Sequence, residues 1–410
     1  MTLAPFDLNL RHLRALPVII ARGSMSAAAD VVALSQPALT QGLARLEEQL
    51  GLTLFGRRPG GVVPTAEGRL LAERVTAAFD GLDAAARAAA PGGGRSVACQ
   101  AITATQLRAF LALVDGGSFV AASAATGLSQ PALHRAVRDL GRICGGPLVE
   151  RSGRGVAIAE AGRRLARGVR IAEREIELAL AEIAADRAPH GDRIVVGAMP
   201  LSRAELIPRA VARLVETVPG ASVDIVDGSW SELVELLRDG VIDLMIGALR
   251  PEPPADLEQV PLFTSHLVVV ARAGHPLAGT RPQPEDLAAY PWIVGRPGTP
   301  LRARWERLFE GRPLPPAPIE CGSVTTIRGI LSKSKCLTLL SPDQIALETS
   351  AGLLEAIAGP YPHVEREIGV TTRKGSRPGA VGRRFLALLH DAAAELEREW
   401  VGGGGPLTAE

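Results

Sequence analysis

The chain has 410 residues, of which 47% are apolar and 22% charged, and its 45 basic side chains nearly balance 44 acidic ones. This length predicts two or three domains, and a sequence so apolar and so neutral excludes disorder throughout. The near-zero net charge also excludes a polycation that coats nucleic acid without sequence preference. The charge is nonetheless unevenly divided: residues 1–190 carry 22 arginines against 17 acids, a net of +5, and residues 191–410 carry 23 basic against 27 acidic groups, a net of −4.

The N-terminus and the cysteines bear on the cellular compartment. Asp7 and Arg11 interrupt the stretch where a secretory signal would need an unbroken apolar core, and no run approaches the ~20 apolar residues of a membrane span. The cysteines are scattered without a CxxC pair, which favours reduced thiols. We therefore expect a cytoplasmic protein without a membrane partner.

The first half of the chain contains an internal repeat. SQPAL occurs at residues 35–39 and again at residues 129–133, an offset of 94. At that offset, without a gap, 23 of the 60 positions from 13 to 72 are identical to their counterparts. A single register kept over this length indicates a duplication.

Both copies predict the same series of elements. Apolar periodicity predicts a first helix over residues 10–21 and 106–115. Ser24 and Ser118 suit the N-cap of a short second helix, and Ser35 and Ser129 suit the N-cap of a third helix with proline in its first turn. A Gly/Arg-rich hairpin, called the wing below, and a long helix over residues 66–89 or 160–185 complete each copy. This order is typical of a winged helix-turn-helix, whose third helix enters the major groove.

Both copies resemble the N-terminal winged helix-turn-helix domain of LysR-type transcriptional regulators. The first copy carries the resemblance in SQPALTQGLARLEEQLGLTLFGRR from Ser35 and TAEG from Thr65, and the second in SQPALHRAVRDL from Ser129 and PLVERSGRGVAIAEAG from Pro147. The resemblance implies that the long closing helix packs antiparallel against a twin to form a dimer. Members of the family usually have one such domain, so the second copy departs from the family's pattern.

We expect base contacts from the start of each third helix. The candidates are Gln36, Thr40 and Gln41 in the first copy and Gln130, His134 and Arg135 in the second. Glutamine pairs with adenine, threonine contacts base edges or a thymine methyl group, and arginine favours guanine. The two copies are therefore expected to prefer different half-sites. The alternative is that these side chains are solvated polar positions of a helix.

Arginines of the wings are candidates for phosphate or minor-groove contacts, namely Arg57, Arg58, Arg151 and Arg154. The alternative is that they are exposed loop arginines without a role. In the second copy, Cys144 and the two glycines after it replace the Leu-Gly pattern of the first copy, which predicts a looser end of the third helix.

From residue 193 onward, strands and helices alternate. RIVVGAM, SVDIVDG and DLMIGAL are typical of the strands of a βαβαβ run in a parallel sheet, and LVVVARAGHPLA from Leu267 begins another such unit. Two α/β subdomains fit the type 2 periplasmic-binding-protein fold, and HPLA at His275 resembles its LysR-family form. We expect the chain to cross between the subdomains near Ser265 and near Val364.

Ligands of such sheets lie at the carboxyl ends of strands, where helix N-termini favour anions. By resemblance, the expected effector contacts are Ser202, Ser229, Thr299 and Ser323, with Arg296 as a candidate partner for a carboxylate. For each hydroxyl the alternative is an ordinary helix cap. The sequence has no P-loop, GxGxxG, GxSxG or HExxH, and its histidines have no partners at metal-ligand spacing. We therefore expect no enzyme activity, no cofactor and no metal site.

The sequence thus predicts a multidomain protein with two all-α winged helix-turn-helix domains followed by an α/β type 2 periplasmic-binding-protein-like effector domain. The expected limits are residues 8–90 and 103–188 for the two DNA-binding domains, 91–102 for a Gly-rich connector and 192–400 for the effector domain.

The expected function is sequence-specific regulation of transcription, controlled by a small-molecule effector for which an anion is favoured. The expected partners are double-stranded operator DNA, the effector and further copies of the chain in a homodimer or homotetramer, with RNA polymerase as a candidate contact. A further hypothesis is that the two copies pair within one chain. The alternative function is a ligand-binding sensor that acts through protein contacts, with one or both DNA-binding copies inactive.

Overall fold

The structure is a computed structural model that describes residues 3–58, 61–90, 98–152, 155–185, 193–200, 202–361 and 365–402. The chain divides into two compact units, one of residues 1–192 with the short segment 238–241 and one of residues 193–237 and 242–410. None of the described helices is both long and apolar enough to cross a membrane.

The first unit begins with three helices and a hairpin. These elements are α1 (Leu10–Arg22), α2 (Met25–Val31), α3 (Gln36–Leu50), β1 (Phe55–Arg58) and β2 (Gly61–Pro64), and the long helix α4 (Ala66–Ala89) follows them. The hydroxyls of Ser24 and Ser35 accept hydrogen bonds from the backbone N–H groups of Ala27 and Ala38. Both serines are therefore N-caps, as the sequence predicts.

The same order of elements then recurs. It consists of α5 (Ala104–Gly116), α6 (Phe119–Thr126), α7 (Gln130–Ile143), β3 (Val149–Ser152), β4 (Gly155–Ile158) and α8 (Glu160–Ala185). Ser118 caps α6 as predicted, but the prediction for Ser129 is wrong in part: it holds the N-cap position of α7, yet its hydroxyl makes no cap hydrogen bond to the described residues. After α7, Gly145 adopts a left-handed conformation with a φ of 80°, which glycine tolerates without strain.

The long helices α4 and α8 pack against each other in antiparallel orientation. Ala85, near the end of α4, touches α8 near its start, because a Cβ atom placed on Gly168 would lie 2.2 Å from the Cβ of Ala85. Arg74, nearer the start of α4, reaches Glu175 and Glu182 in the second half of α8. Small residues at the first contact allow the two backbones to approach closely.

One continuous hydrophobic core joins the two copies. Buried side chains of both long helices contribute to it, among them Leu71, Val75, Leu82, Leu165, Val169 and Ile176. The same core takes in Leu13 and Leu39 from the first copy and Leu107 and Leu133 from the second. The described residues of the first unit therefore form one packed body, in which each copy covers apolar surface of the other.

Arg74 is a charged residue inside this core. Its side chain is 5% exposed, its Nη1 lies 2.9 Å from Glu175 Oε2, and its Nη2 lies 3.2 Å from Glu182 Oε1. At the repeat offset of 94, Gly168 corresponds to Arg74, while Gly81 and Ala88 correspond to the two glutamates. The helix pair thus carries three charged side chains around Arg74, whereas the equivalent positions around Gly168 carry none.

A half-buried acid of α8 leads to a prediction about pH. Burial, together with the negative charges of Glu177 and Asp115, raises the pKa of Glu173 to about 7 against the opposing charge of Arg170. Folding therefore favours neutral Glu173, and the stability it contributes at low pH is lost as the pH rises through about 7. Glu173→Gln is expected to raise the free energy of unfolding by about 1 kcal/mol at about pH 8, after solvent screening, and to change it little at about pH 5.

Scanning calorimetry of the full chain at both pH values measures this difference. Glu73→Gln, at an exposed position of α4, is the control and is expected to change neither value. An equal effect of Glu173→Gln at both pH values would contradict the prediction.

The second unit contains strands and helices in alternation. Its elements are β5 (Arg193–Ala198), α9 (Leu206–Thr217), β6 (Ser222–Asp227), α10 (Trp230–Arg238), β7 (Leu244–Ala248), β8 (Leu257–His266), β9 (Val268–Arg272), α11 (Pro284–Ala288), β10 (Ile293–Val294), α12 (Pro300–Leu308), β11 (Ile319–Glu320), α13 (Val324–Leu331), β12 (Thr338–Leu340), α14 (Ala346–Ser350), β13 (Leu354–Ala358), β14 (Glu365–Arg373) and α15 (Ala380–Gly402).

The larger sheet of this unit has the strand order β6-β5-β7-β14-β8. β5 is parallel to β6 and β7, as predicted, whereas β14 is antiparallel to both β7 and β8. The sheet is therefore mixed and not wholly parallel. One hydrophobic core packs on this sheet and includes Leu206 of α9 and Phe385 of α15. A second, separate core includes Leu233 of α10.

The smaller sheet has the order β12-β9-β13 and belongs to the second subdomain. The chain enters it between His266, the last residue of β8, and Val268, the first of β9, next to Ser265. Val364, near which the return crossing is predicted, lies outside the described residues, and β14 begins at Glu365.

Candidate DNA interface and effector cleft

The start of α3 presents polar side chains to solvent. Gln36, Thr40 and Gln41 are exposed, while Leu39 and Leu43 on the other face are buried in the core. The hydroxyl of Thr40 donates a hydrogen bond to the carbonyl oxygen of Gln36 over 2.9 Å. The hydroxyl proton of Thr40 is therefore hydrogen-bonded within the helix. The methyl group and an oxygen lone pair of Thr40 remain available to contact a base.

The first wing is attached to the turn between α1 and α2. Arg57 and Arg58 are exposed on β1 and make no ion pair with any described residue. The N–H of Val62 donates to the carbonyl oxygen of Gly23 over 3.0 Å, and a Cβ on Gly61 would lie 2.2 Å from that same oxygen. Glycine at position 61 thus allows the wing to approach this turn, and the wing arginines extend from a fixed hairpin.

In the second copy, Gln130, His134 and Arg135 are likewise exposed at the start of α7. The ring of His134 stacks on that of Phe119, with centroids 3.6 Å apart, so part of this side chain covers the core. Arg138 is exposed one turn after Arg135 and was not predicted as a contact. Its spacing of three residues from Arg135, which places it on the same helix face, is the signal that could have identified it.

The second wing is described only in part. Arg151 lies in β3 opposite Val156, but its side chain is outside the described part of the structure, and Arg154 lies outside the described residues altogether. Both stay predictions.

In the second unit, three of the four predicted effector hydroxyls form hydrogen bonds with backbone groups of the protein itself. Ser202 is 1% exposed, and its Oγ lies 3.0 Å from the carbonyl oxygens of Met199 and Ile246. Thr299 accepts a hydrogen bond from the N–H of Arg302 and caps α12, and Ser323 caps α13 in the same way. These contacts agree with the alternative that the hydroxyls are caps.

Ser229 and Arg296 approach the same acid from different subdomains. The N–H and the hydroxyl of Ser229 each lie 2.7 Å from Glu232 Oε2 at the start of α10. These bonds, and more weakly the positive charge of Arg296 after β10, hold the pKa of Glu232 below its usual range. Ser229 and Glu232 are therefore hydrogen-bonded at the start of α10, and Arg296 is near enough for its charge to act on Glu232.

The sequence predictions missed a buried arginine at the same edge of the sheet. Arg366 is 6% exposed and lies on β14 opposite Ser265 of β8. It alternates with the exposed Glu365 and Glu367 and shares its strand face with the buried Ile368. A charge at a core-facing position of a strand is the sequence signal that could have identified it.

Metal and thiol chemistry find no support in the described residues. Across them, no three His, Cys, Asp or Glu side chains gather as metal ligands would. All four cysteines are free thiols: Cys99, Cys144 and Cys336 are buried, and Cys321 is half-buried. Burial raises the pKa of the Cys144 thiol to about 11, which makes it a poor nucleophile.

Comparison with known proteins identifies the family. The family model for the bacterial regulatory helix-turn-helix protein, lysR family, matches residues 10–69 and 104–163, and the model for the LysR substrate binding domain matches residues 187–394. The HTH-type transcriptional regulator GalR of Pseudomonas putida is 30% identical over 393 residues, which span 94% of this chain and 98% of that protein. The chain belongs to the LysR family of transcriptional regulators.

Other LysR-family proteins differ from it in length. The SDS degradation transcriptional activation protein of a Pseudomonas species is 33% identical over 303 residues, which span 70% of this chain and 96% of that protein. That relative is therefore shorter, whereas GalR matches this chain nearly end to end. The solved structure of full-length LysG from Corynebacterium glutamicum with bound effector Arg covers 71% of this chain at 22% identity with a TM-score of 0.54, which shows a similar fold.

Membership in the LysR family establishes the general function. The chain is a DNA-binding transcriptional regulator with an N-terminal helix-turn-helix and a C-terminal effector-binding domain with a mixed sheet. Its relatives are regulators and not enzymes, in agreement with the sequence prediction.

Proposed function

We propose that this LysR-family regulator reads its operator with two DNA-binding domains carried on one chain, with limits near residues 8–90 and 103–188, and that an effector bound in the domain of residues 192–400 controls it. The antiparallel pair of α4 and α8 carries this proposal, because it joins α3 and α7 to one packed body. The two matches to the helix-turn-helix model, at residues 10–69 and 104–163, and the similar length of GalR support a tandem arrangement.

The charges inside the helix pair favour α4 with α8 over two identical helices. If α4 paired with α4 of a second chain, two buried Arg74 side chains would lack the glutamates that now bind them. If α8 paired with α8, Glu175 and Glu182 would lack the arginine. An uncompensated buried charge costs several kcal/mol, so the mixed pair is the stable one.

The mixed pair is also favoured within one chain over a pair between chains. Only residues 90–103 separate the end of α4 from α5 of the second copy, and they include the Gly-rich connector predicted over residues 91–102. A short tether gives an effective concentration in the millimolar range, far above that of a second chain. Association into a homodimer or homotetramer would then use other surfaces.

The proposed DNA contacts follow the exposed positions of both copies. They are Gln36, Thr40, Gln41, Arg57 and Arg58 in the first copy and Gln130, His134, Arg135, Arg138, Arg151 and Arg154 in the second. For the effector we propose the helix N-termini at Ser229, Thr299 and Ser323, together with Arg296, whereas Ser202 supports the loop after β5. RNA polymerase is a further proposed contact, and the cytoplasm the proposed compartment.

A gel shift with DNA from the region upstream of its own gene tests this function. The wild-type chain is expected to bind, and Gln41→Ala combined with Arg135→Ala is expected to raise Kd by about a hundredfold or more, because a base contact is lost in each copy. Gln49→Ala, at an exposed position near the end of α3, is the control and is expected to bind as the wild type does. Unchanged binding by the double variant would favour the ligand-binding sensor that acts through protein contacts.

A further inference from the structure

The buried guanidinium of Arg366 has no partner in the described part of the chain. Its Nε, Nη1 and Nη2 are all inaccessible to solvent, and none of them makes a hydrogen bond there. A buried charge without a partner is costly, and a folded protein retains one where something else completes it. Arg366 therefore points to a group that the described residues do not supply.

Further unsatisfied donors lie on neighbouring elements of the second subdomain. Nε of Arg304, on α12, and Nε2 of Gln344, which follows β12, are buried without a partner among the described residues. Arg304 is near enough to lower the pKa of Arg366, although burial is the larger cause. The unsatisfied groups are thus hydrogen-bond donors, two of them cationic, and this chemistry suits an anion.

Asp343 is the acid that acts on Arg366, yet it does not neutralise it. The negative charge of Asp343 opposes the lowering of the Arg366 pKa, but no hydrogen bond joins the two side chains. Burial, with a smaller contribution from Glu205, raises the pKa of Asp343. A carboxyl group with a raised pKa can share its proton with a neighbouring carboxylate and tolerates a monoanion better than a dianion.

A pocket of about 120 Å³ opens beside Asp343. Its walls include Ser265, the cross-strand neighbour of Arg366, together with Asp343. Phe263, Pro342 and Leu396 supply apolar surface, and Glu397 adds a negative charge. Apolar walls favour an organic body over an inorganic ion, and the acid at the rim disfavours a multiply charged one.

We propose that Arg366 binds the carboxylate of a small organic acid with an apolar body, which enters by this pocket and bridges the two subdomains of the effector domain. The guanidinium can hold a carboxylate by two parallel hydrogen bonds. Arg366 lies on the strand that returns to the first subdomain, while Asp343 and Arg304 belong to the second, so the ligand favours one arrangement of the subdomains. The proposal rests on the proposed function only in naming the chemical class of the effector.

Thermal unfolding of the full chain with butanoate, butanamide and inorganic phosphate, at constant ionic strength, tests the proposal. Butanoate is expected to raise Tm, and its neutral amide and phosphate are not. Arg366→Met is expected to abolish the butanoate shift, and Arg366→Lys to weaken butanoate binding about tenfold because it loses the two parallel bonds. Arg307→Gln, at an exposed position of α12, is the control and is expected to keep the shift. Without butanoate, Arg366→Met is expected to melt at or above the wild-type temperature, since it removes an unpaired buried charge.

Several outcomes would overturn the proposal. With butanoate they are a shift in Tm that survives Arg366→Met, a shift no larger than that with butanamide, or no shift at all. A shift with phosphate alone would also overturn it. So would a large loss of Tm in Arg366→Met without ligand, because Arg366 would then have a structural role.

Gel shifts without butanoate separate this result from the proposed function. Arg366→Met is expected to bind operator DNA as the wild type does, and absence of DNA binding in the wild type would refute the proposed function while leaving the butanoate result intact.

Discussion

Arg74→Ala is expected to lower the free energy of unfolding of the first unit by about 3–5 kcal/mol, because it removes the buried guanidinium that binds the carboxylates of Glu175 and Glu182. The effect is large because Arg74 is 5% exposed and bonds to both acids, whereas an exposed ion pair contributes ~1 kcal/mol or less. Scanning calorimetry or urea unfolding of the full chain measures the loss in the transition of the first unit.

Two variants isolate the cause of this loss. Arg87→Ala removes an exposed arginine from the same helix and is expected to change the free energy of unfolding by no more than about 0.5 kcal/mol. Arg74→Met combined with Glu175→Met and Glu182→Met removes all three charges and is expected to recover most of the lost stability. A loss below about 1 kcal/mol in Arg74→Ala would mean that the charges do not hold α4 and α8 together.

The operator is expected to have two different half-sites, because α3 presents Thr40 and Gln41 where α7 presents His134 and Arg135. Arg135→Ala is expected to raise Kd about 10–100-fold and to remove base preference in one half-site only, and Gln41→Ala to do so in the other. Titration of each variant against operators with single base-pair changes, at one fixed salt concentration, measures both effects. A symmetric operator built from two copies of either half-site is expected to bind more weakly than the natural one.

Arg142→Ala is the control for this experiment. Arg142 is exposed near the end of α7 and forms an ion pair with Asp139, away from the predicted base contacts. Its replacement is expected to leave base preference unchanged. Equal loss of preference in both half-sites for Arg135→Ala, or equal binding of a symmetric and the natural operator, would contradict two different readers on one chain.

The elements of the first unit could be predicted from sequence because local signals specify them. Ser24 and Ser35 cap helices by hydrogen bonds to residues three positions away in sequence. Because the pattern of elements occurs twice, each copy also supports the prediction for the other. A prediction carried from one copy to the other can still fail. Ser129 is the counterpart of Ser35, yet its hydroxyl makes no cap hydrogen bond among the described residues. The bonds of Arg74 to α8 span about a hundred residues of sequence, and helix periodicity does not reveal them.

The effector domain shows a different limit. Position at the end of a strand led to Ser202, Thr299 and Ser323, but position does not reveal whether a hydroxyl faces a ligand or the protein's own backbone. In the structure all three bond to backbone groups. The alternation of its strand is a usable signal for Arg366. Only the assembled β8, β14 and second subdomain show that none of the described residues forms a hydrogen bond with its guanidinium.

Crosslinking with mass measurement tests most directly whether α4 and α8 of one chain pair with each other. Cysteines at Ala85 of α4 and Arg164 of α8, one helical turn from Gly168, can be joined by a short bismaleimide after Cys321 is replaced by serine. Pairing within one chain predicts a crosslinked product with the mass of one chain at every dilution of the protein. A product with the mass of two chains, and none with the mass of one, would contradict it.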